Sequence, residues 1–469
     1  MMSLPSNPPE LPPRVFDDGD YERIDAGLAD TDRLLADSYP GDAGTRQPVH
    51  TVYVPADRYS PSLAADWGQQ ALAAAAEAGG IRRLAELVGL APGLAAEIAP
   101  RVEAKLRDEP IEDLRIDFED GYLAAGRSQD PDATEDAEAI RAADQVTAAI
   151  ASGTATPFIG IRFKCLEEAT RRRGLRTLEL FVSRLVQSGG VPEGLVLTLP
   201  KVSTVDQVKA MVYAVERLES SLGLRPGRLG FEVQVETPQI IIGADGSHPV
   251  AQLPHQADGR ITALHYGTYD YSASLQIAAA YQSMEHPAAD FAKEVMQLAV
   301  AGTGIRLSDG STNVLPVGDA DQREEAWKLH ARLVRRSLER GFYQGWDLHA
   351  HQLPTRYIAT YAFYREGLPK AAERLGNYVR QTAGAVLDEP ATARALAAFV
   401  LRGVQCGAVG ADEVHASTGL SELDLTHLAH PRLAQPRLAQ PRPAHSRAAE
   451  QTPASTVAAP AAEPQGASR

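Results

Sequence analysis

The sequence predicts an α/β protein folded as a (β/α)8 TIM barrel, and three observations carry that prediction. Short β-rich segments alternate with helical ones, the alternation repeats about eight times, and ionisable residues stand at the carboxyl ends of the β segments. HTVYV (50–54), LRIDF (114–118), FIGIRF (158–163), LVLTL (195–199), FEVQV (231–235) and ITALHY (261–266) are predicted strands. They are β-branched, mostly apolar on both faces and bounded by Gly, Pro or acidic residues, as buried parallel strands should be. Two weaker candidates, at 305–307 and 346–349, complete the eight.

The segments between them are helical in pattern. Ser60 and Pro61 supply an N-cap and an N1 proline ahead of SLAADWGQQALAAAAEAGG. Ser203, with Asp206 three residues on, is an approximate capping box before VKAMVYAVERLESSLG. A third helix runs from Asp319 to a stop at Gly341. An open doubly wound sheet is the competing architecture, but no Gly-rich phosphate fingerprint follows the first strand.

Residues 1–45, rich in Pro, Asp and Gly, are expected to form an extended N-terminal lead-in with a short helix or two. The catalytic barrel with its C-terminal helices is expected over 46–410. From residue 427 to 469 the chain repeats PRLAQ and then alternates Ala, Pro, Ser and Thr, so a disordered tail is expected there.

Composition excludes several classes of function. A net charge of −15 over 469 residues argues against a nucleic-acid partner, which favours a basic surface. The two cysteines, Cys165 and Cys406, are too few for a disulfide framework or a thiolate zinc site, so a reducing cytoplasm is the expected setting. The N-terminus has no apolar stretch of signal-peptide type, and no window approaches eighteen apolar residues, so no membrane association is expected.

Barrel active sites are built at the carboxyl ends of strands. Here those ends hold Asp117, Glu119 and Asp120 in IDFEDGY, Arg162 and Lys164 in IRFK, Lys201 in LPKV, Glu236 in VETPQ, Asp270 in HYGTYDYS and His349 in WDLHAHQ. Charges are rarely buried without partners, so ionisable groups at six such points are expected to share one polar floor. Carboxylates without a His or Cys cluster suit Mg2+, or Mn2+, rather than zinc, with Glu236 and Asp270 the expected metal ligands. An arginine beside them grips a substrate carboxylate bidentately. Bland roles are preferred elsewhere: packing for His265, a solvated helix start for Arg171, Arg172 and Arg173, and an inert thiol at Cys165.

In order and spacing these motifs resemble the citrate lyase β-subunit branch of the HpcH/HpaI aldolase superfamily, which shares its barrel with malate synthases. The resemblance runs from about His50 to about Ala398. It rests on VYVP at the first strand, the D-x-E-D signature Asp117, Glu119 and Asp120, the arginine Arg162, and the pair Pro200–Lys201. Glu236 and Asp270 stand at the family's metal-ligand positions, and GFYQGWDLHAHQ, from Gly341 to Gln352, loosely matches its late G-x-x-G and Ile-His-Pro-x-Gln signatures.

What the resemblance implies is a Mg2+-dependent carbon–carbon lyase acting next to a carboxylate. Its substrate is a small 2-oxo acid or hydroxy-dicarboxylate, free or as a coenzyme A thioester, and the enzyme is a trimer or hexamer. Arg162, Asp117, Glu119 and Asp120 are its expected catalytic residues; Arg162, Lys201 and His349 its substrate contacts. The sequence departs from the pattern at Ala350 and in a polar insertion, GADGSHPVAQLPHQADGR, along the expected path of a substrate's distal part. Asp120 stands where the aldolases carry histidine, which favours the citrate lyase side. Asp388, before Glu389 and Pro390, is a candidate for reaching a neighbouring subunit. The rival readings are a phosphoenolpyruvate- or pyruvate-utilising phosphoryl or carboxyl transferase, a malate-synthase-like condensing enzyme or thioesterase, and a non-catalytic binding barrel.

Overall fold

The computed structural model describes residues 13–380 and 389–434. Eight parallel strands follow in chain order: β1 (His50–Pro55), β2 (Asp113–Asp117), β3 (Phe158–Arg162), β4 (Leu197–Leu199), β5 (Phe231–Val235), β6 (Ile261–Tyr266), β7 (Arg306–Ser308) and β8 (Gly345–Asp347). Each pairs with its chain neighbours from β1 to β7, and β1 also pairs with β8. Asp309 N donates to Gln344 O at 2.8 Å and Trp346 N to Gly310 O at 3.2 Å, bringing β7 and β8 together. The sheet is therefore a nearly closed barrel, the predicted fold, and the two weak strand candidates are its last staves.

One sequence expectation is overturned inside the barrel. The strands are not apolar on both faces. Leu114 and Ile116 of β2 are buried in the apolar core, while Asp113, Arg115 and Asp117 alternate with them and bond to side chains of other strands. A strand places successive side chains on opposite faces, so this period-two pattern lines the lumen with charge. The helices cover the other face; Pro131–Ser152 and Arg171–Ser188, for example, pack side by side there.

The helix starts differ by one or two residues from expectation. Leu63–Glu77 begins after Ser62, whose hydroxyl donates to Asp66 at 2.9 Å, leaving Ser60 and Pro61 in the preceding turn. Val205–Leu222 is capped by Thr204 in a capping box with Gln207, one residue later than the predicted Ser203 and Asp206. Ala320–Glu339 is capped by Asp319 as predicted, and Gly341 follows it in the left-handed region. The lead-in holds a single 21-residue helix, Asp18–Ser38, opened by a reciprocal Asp17–Asp20 cap, and no residue of it is buried.

Residues 427–429 and 431–434, expected to begin the disordered tail, lie in helices instead, joined at His430. Ser421 caps Glu422–Ala429, and Leu425 is buried beneath it. The remainder of that tail expectation lies outside the described residues. The polar insertion also finds a different place. Its Val250, Leu253 and Ala257 are buried in the core, and Arg260 forms two 2.8 Å bonds with Glu219 on Val205–Leu222. Those residues serve the barrel's outer wall, because the segment contains apolar groups that can be buried only there. No helix among the described residues is long and apolar enough to cross a membrane.

Candidate active site

The lumen is built in layers. In the lower one Arg115 is fully enclosed and donates to Asp113, to Thr198 at 3.0 Å, and to Glu232 at 3.1 and 2.7 Å. Tyr53 and Thr198 add hydroxyl bonds to Glu232, at 3.1 and 2.6 Å, and His265 Nε2 lies 3.1 Å from the same carboxylate. Trp346 donates its indole N–H to His265 Nδ1 at 3.1 Å, so the preference for a packed His265 holds.

Directly above, Asp117 clamps Arg162. The guanidinium Nε and Nη2 each donate to one carboxylate oxygen at 2.7 Å, and the guanidinium carbon lies 4.8 Å from the centre of the Tyr53 ring. Asp117 is itself fixed by the backbone N–H groups of Glu119 and Gly121, each at 3.0 Å, which are the first residues after β2. Two of the arginine's three nitrogens are thereby committed. The third, Nη1, is directed upward, 3.4 Å from Glu119 and 3.9 Å from Asp120, with Gln234 at 3.5 Å. Sequence reasoning gave Asp117 a direct chemical role; its position makes it the residue that aims Arg162.

The top layer is organised by Lys201, two residues beyond the strand β4. Its φ of +51° puts a non-glycine residue in the left-handed region, at a cost of about 1–2 kcal/mol. That turn delivers its backbone N–H to Glu236 Oε1 at 2.8 Å. Its ammonium donates to Asp120 at 2.8 Å and lies 3.1 Å from Glu119 and 3.9 Å from Asp270. Burial pushes Glu236 up to about 8, with Asp270 and Glu119 adding to the rise and Arg162 and the Lys201 N–H opposing it. Burial likewise pushes Glu119 up to about 7 and raises Asp270. Against the cost of its part-burial, the Lys201 bond and the Arg162 charge hold Asp120 below the ordinary carboxylate value.

These residues fit a hard divalent cation. Among the described residues Glu236, 1% exposed, accepts a single hydrogen bond, and buried Glu119 Oε2 has none, with only the Arg162 guanidinium near it at 3.4 Å. Oxygen donors so short of partners are what a magnesium ion satisfies, and it takes only one or two carboxylates beside water and substrate. Glycine at position 267 is required for this, because a Cβ there would fall inside van der Waals contact with Glu236 Oε2. No group of three or more His, Cys, Asp or Glu side chains able to hold a metal occurs among the described residues, so a cation here would rest on two carboxylates.

Other expected site residues have partners of their own. His349 Nδ1 accepts the His351 N–H at 3.1 Å, which makes it the cap of a short turn after β8. Lys164 donates to Phe118 O at 2.7 Å and pairs with Glu135, tying the loop after β2 to the helix Pro131–Ser152. Arg173 pairs with Glu135 and Asp136, while Arg171 and Arg172 are exposed at a helix start. Cys165 is buried beside Thr170. Asp388 lies outside the described residues. Three contributors escaped sequence reasoning: Tyr53, Gln234 and Gly267. The first two carried a readable signal, an amphiphilic side chain at an inward position of an otherwise apolar strand.

Solved structures of similar architecture include a Haloferax volcanii malate synthase lead(II) complex, at 14% identity over 82% of this chain and 89% of that one, with a TM-score of 0.44. Another is a citrate lyase beta subunit from M. tuberculosis complexed with oxaloacetate and magnesium, at 16% identity over 68% and 98%, TM-score 0.38. A third is an HpcH/HpaI aldolase/citrate lyase family protein from Burkholderia cenocepacia, at 17% identity over 72% and 98%, TM-score 0.36. Comparison with curated proteins finds no match. Residues 28–433, nearly all of the described chain, match the family described as "Domain of unknown function (DUF6986)", and the protein belongs to that family.

Proposed function

We propose that this barrel is a divalent-metal-dependent carbon–carbon lyase, or the same reaction run as a condensation. Its substrate in this reading is a 2-oxo acid or hydroxy-dicarboxylate, free or as a coenzyme A thioester. The observation that carries the reading is the pairing of a clamped arginine with an under-satisfied buried carboxyl. Arg162 turns the one nitrogen that Asp117 does not hold toward Glu119, within the same cluster as Glu236.

Each residue then has a role that follows from its position. Arg162 Nη1 receives a substrate carboxylate, and Asp117 prevents the guanidinium from turning away. Lys201 offsets the charge of Asp120 and Glu119, which keeps an anionic substrate from being repelled. Glu119, pushed up to about 7, is suited to holding or releasing a proton near neutrality. Glu236 and Asp270 would hold the metal, which would supply a Lewis acid beside the substrate carboxylate.

A panel of 2-oxo acids, hydroxy-dicarboxylates and acyl thioesters, each with Mg2+ and with chelator, tests this. The expected result is turnover of at least one of them that chelator abolishes and Mg2+ or Mn2+ restores. Turnover indifferent to metal, or retained by Glu236→Gln, would refute the assignment.

A further inference from the structure

At the opposite end of the barrel lies a second polar cavity that the proposed reaction does not use. Its volume is about 190 Å3, and it opens among the loops that enter β1, β7 and β8. One water needs roughly 10–15 Å3 of such space, so a small polyatomic ligand can be accommodated. Arg306, Arg402, Tyr343 and Asp42 line it, with backbone at Gly302 and Gly304.

The two arginines are held differently. Arg306, the first residue of β7, donates through Nη2 to the Thr45 carbonyl at 2.8 Å and to the Thr45 hydroxyl. Its Nε and Nη1 make no hydrogen bond to any described residue, and no carboxylate lies in ion-pair contact with it among those residues. Arg402, in the last turn of Pro390–Gln405, stacks over the Tyr343 ring at 4.3 Å and lies 3.9 Å from Asp42. Asp42 is the one carboxylate lining the cavity, so two guanidinium charges face a single negative one. Burial pulls Arg306 below its ordinary value; Asp42 resists and the neighbouring Arg402 adds to the fall.

A guanidinium that is part-buried, fixed at one end and short of a counter-ion is an anion receptor in its physical chemistry. Its planar fork matches the paired oxygens of phosphate or carboxylate. We propose that the Arg306–Arg402 cavity is a binding site for a small multivalent oxyanion, inorganic phosphate or a short dicarboxylate, at the face of the barrel remote from the catalytic cluster. The net charge of −15 and the small volume exclude a polyanionic macromolecule as the occupant. Binding there joins the β7 and β8 entry loops to the helix Pro390–Gln405 through one ion, so occupancy stabilises the closure of the barrel.

Calorimetry on the full chain, titrating inorganic phosphate and succinate against sodium chloride at matched ionic strength, tests the proposal. The expected result is saturable binding of phosphate, of succinate or of both, with a matching rise in Tm; whichever anion binds identifies the source. Arg306→Gln and Arg402→Gln should each weaken binding roughly tenfold or more, as loss of a charge-assisted bond requires. Arg306→Lys, which keeps charge and loses the fork, should fall between. A catalytic-site anion is distinguished by persistence of binding in these variants, and that persistence overturns the proposal. So does a response that tracks ionic strength whatever the anion. Should Arg306→Gln fail to fold, Arg306→Lys and Arg402→Gln decide the question in the same assay.

Discussion

Asp117 and Arg162 meet through two parallel bonds of 2.7 Å, and both residues are almost wholly enclosed. A buried pair of this kind is costly to break from one side, because the remaining charge loses its compensation. Asp117→Ala should therefore destabilise the protein by about 3–5 kcal/mol in urea unfolding at pH 7. Asp117→Asn keeps the shape and should leave more of the fold. In that variant the guanidinium is no longer aimed, so KM for the carboxylate substrate should rise more steeply than kcat falls. Equal losses in both parameters would instead place Asp117 in the reaction itself.

Glu236 and Gly267 make a second linked pair, one supplying the carboxyl and the other the space for it. Added Mg2+ should raise the Tm of the wild type, since a ligand that binds only the native state stabilises it. Glu236→Gln should remove that rise. Gly267→Ala should do nearly the same without touching a charged residue, because its Cβ displaces Glu236 Oε2. Its φ of −101° is accessible to alanine, so the effect is steric and local. A Mg2+-dependent Tm rise in Gly267→Ala equal to that of the wild type would count against Glu236 as a metal ligand.

The parts of this architecture that were legible in the sequence share a property: they depend on neighbours along the chain. Strands such as FIGIRF and ITALHY follow from β-branched composition; Glu236 stands out because it directly follows such a run, and Asp270 because it opens the short helix Thr268–Ser274 just beyond one. Pairings between strands carry no such mark. Arg162 finds Asp117 45 residues away, Arg115 finds Glu232 117 away, and His50 finds Asp347 297 away. Which charge faces which is decided by stave order and register, and these emerge only when the barrel closes. For that reason Asp117 and Arg162 could each be placed at the mouth from sequence while their pairing could not. His349 shows the local kind of signal: its motif put it just after a strand end, and there its Nδ1 caps the turn it opens.

Glu232 gathers Arg115, Thr198, Tyr53 and His265 about one carboxylate in the middle of the barrel. Against the cost of burial, the charge of Arg115 and the contact with His265 hold it below the ordinary carboxylate value. Glu232→Ala leaves Arg115 with Asp113 alone and should cost about 3–5 kcal/mol. Replacing Glu232 and Arg115 together by Gln and Met should cost less than the two single changes added, as groups in direct contact require. Additive losses in urea unfolding would show that the network is not coupled.

Asp347, at the end of β8, joins His50, His330 and Arg356, and its environment predicts how stability depends on acid. Glu112 N–H donates to His50 Nε2 at 3.1 Å, so His50 Nδ1 carries the proton that reaches Asp347 Oδ2 at 2.7 Å. His330 Nε2 lies 3.0 Å from Oδ1, and Arg356 donates to both oxygens. Burial pulls His330 below its ordinary value of 6.5, with Asp347 opposing. Against its own burial, Asp347 is held well below 3.8 by Arg356 and the two histidines. Below pH 6.5 the unfolded chain therefore takes up a proton at position 330 that the folded chain still refuses, and stability falls as pH drops from there. The Asp347 contribution has the same sign but a lower window: it is present above about 3.8 and is lost as pH falls through the depressed folded value. His330→Gln keeps a donor for Asp347 and cannot titrate. Urea unfolding at pH 7.5, 6 and 5 should show a shallower acid loss in His330→Gln than in the wild type, while the loss below pH 4 remains in both. Identical slopes between pH 7.5 and 5 would mean that His330 is not the residue that senses the first of these windows.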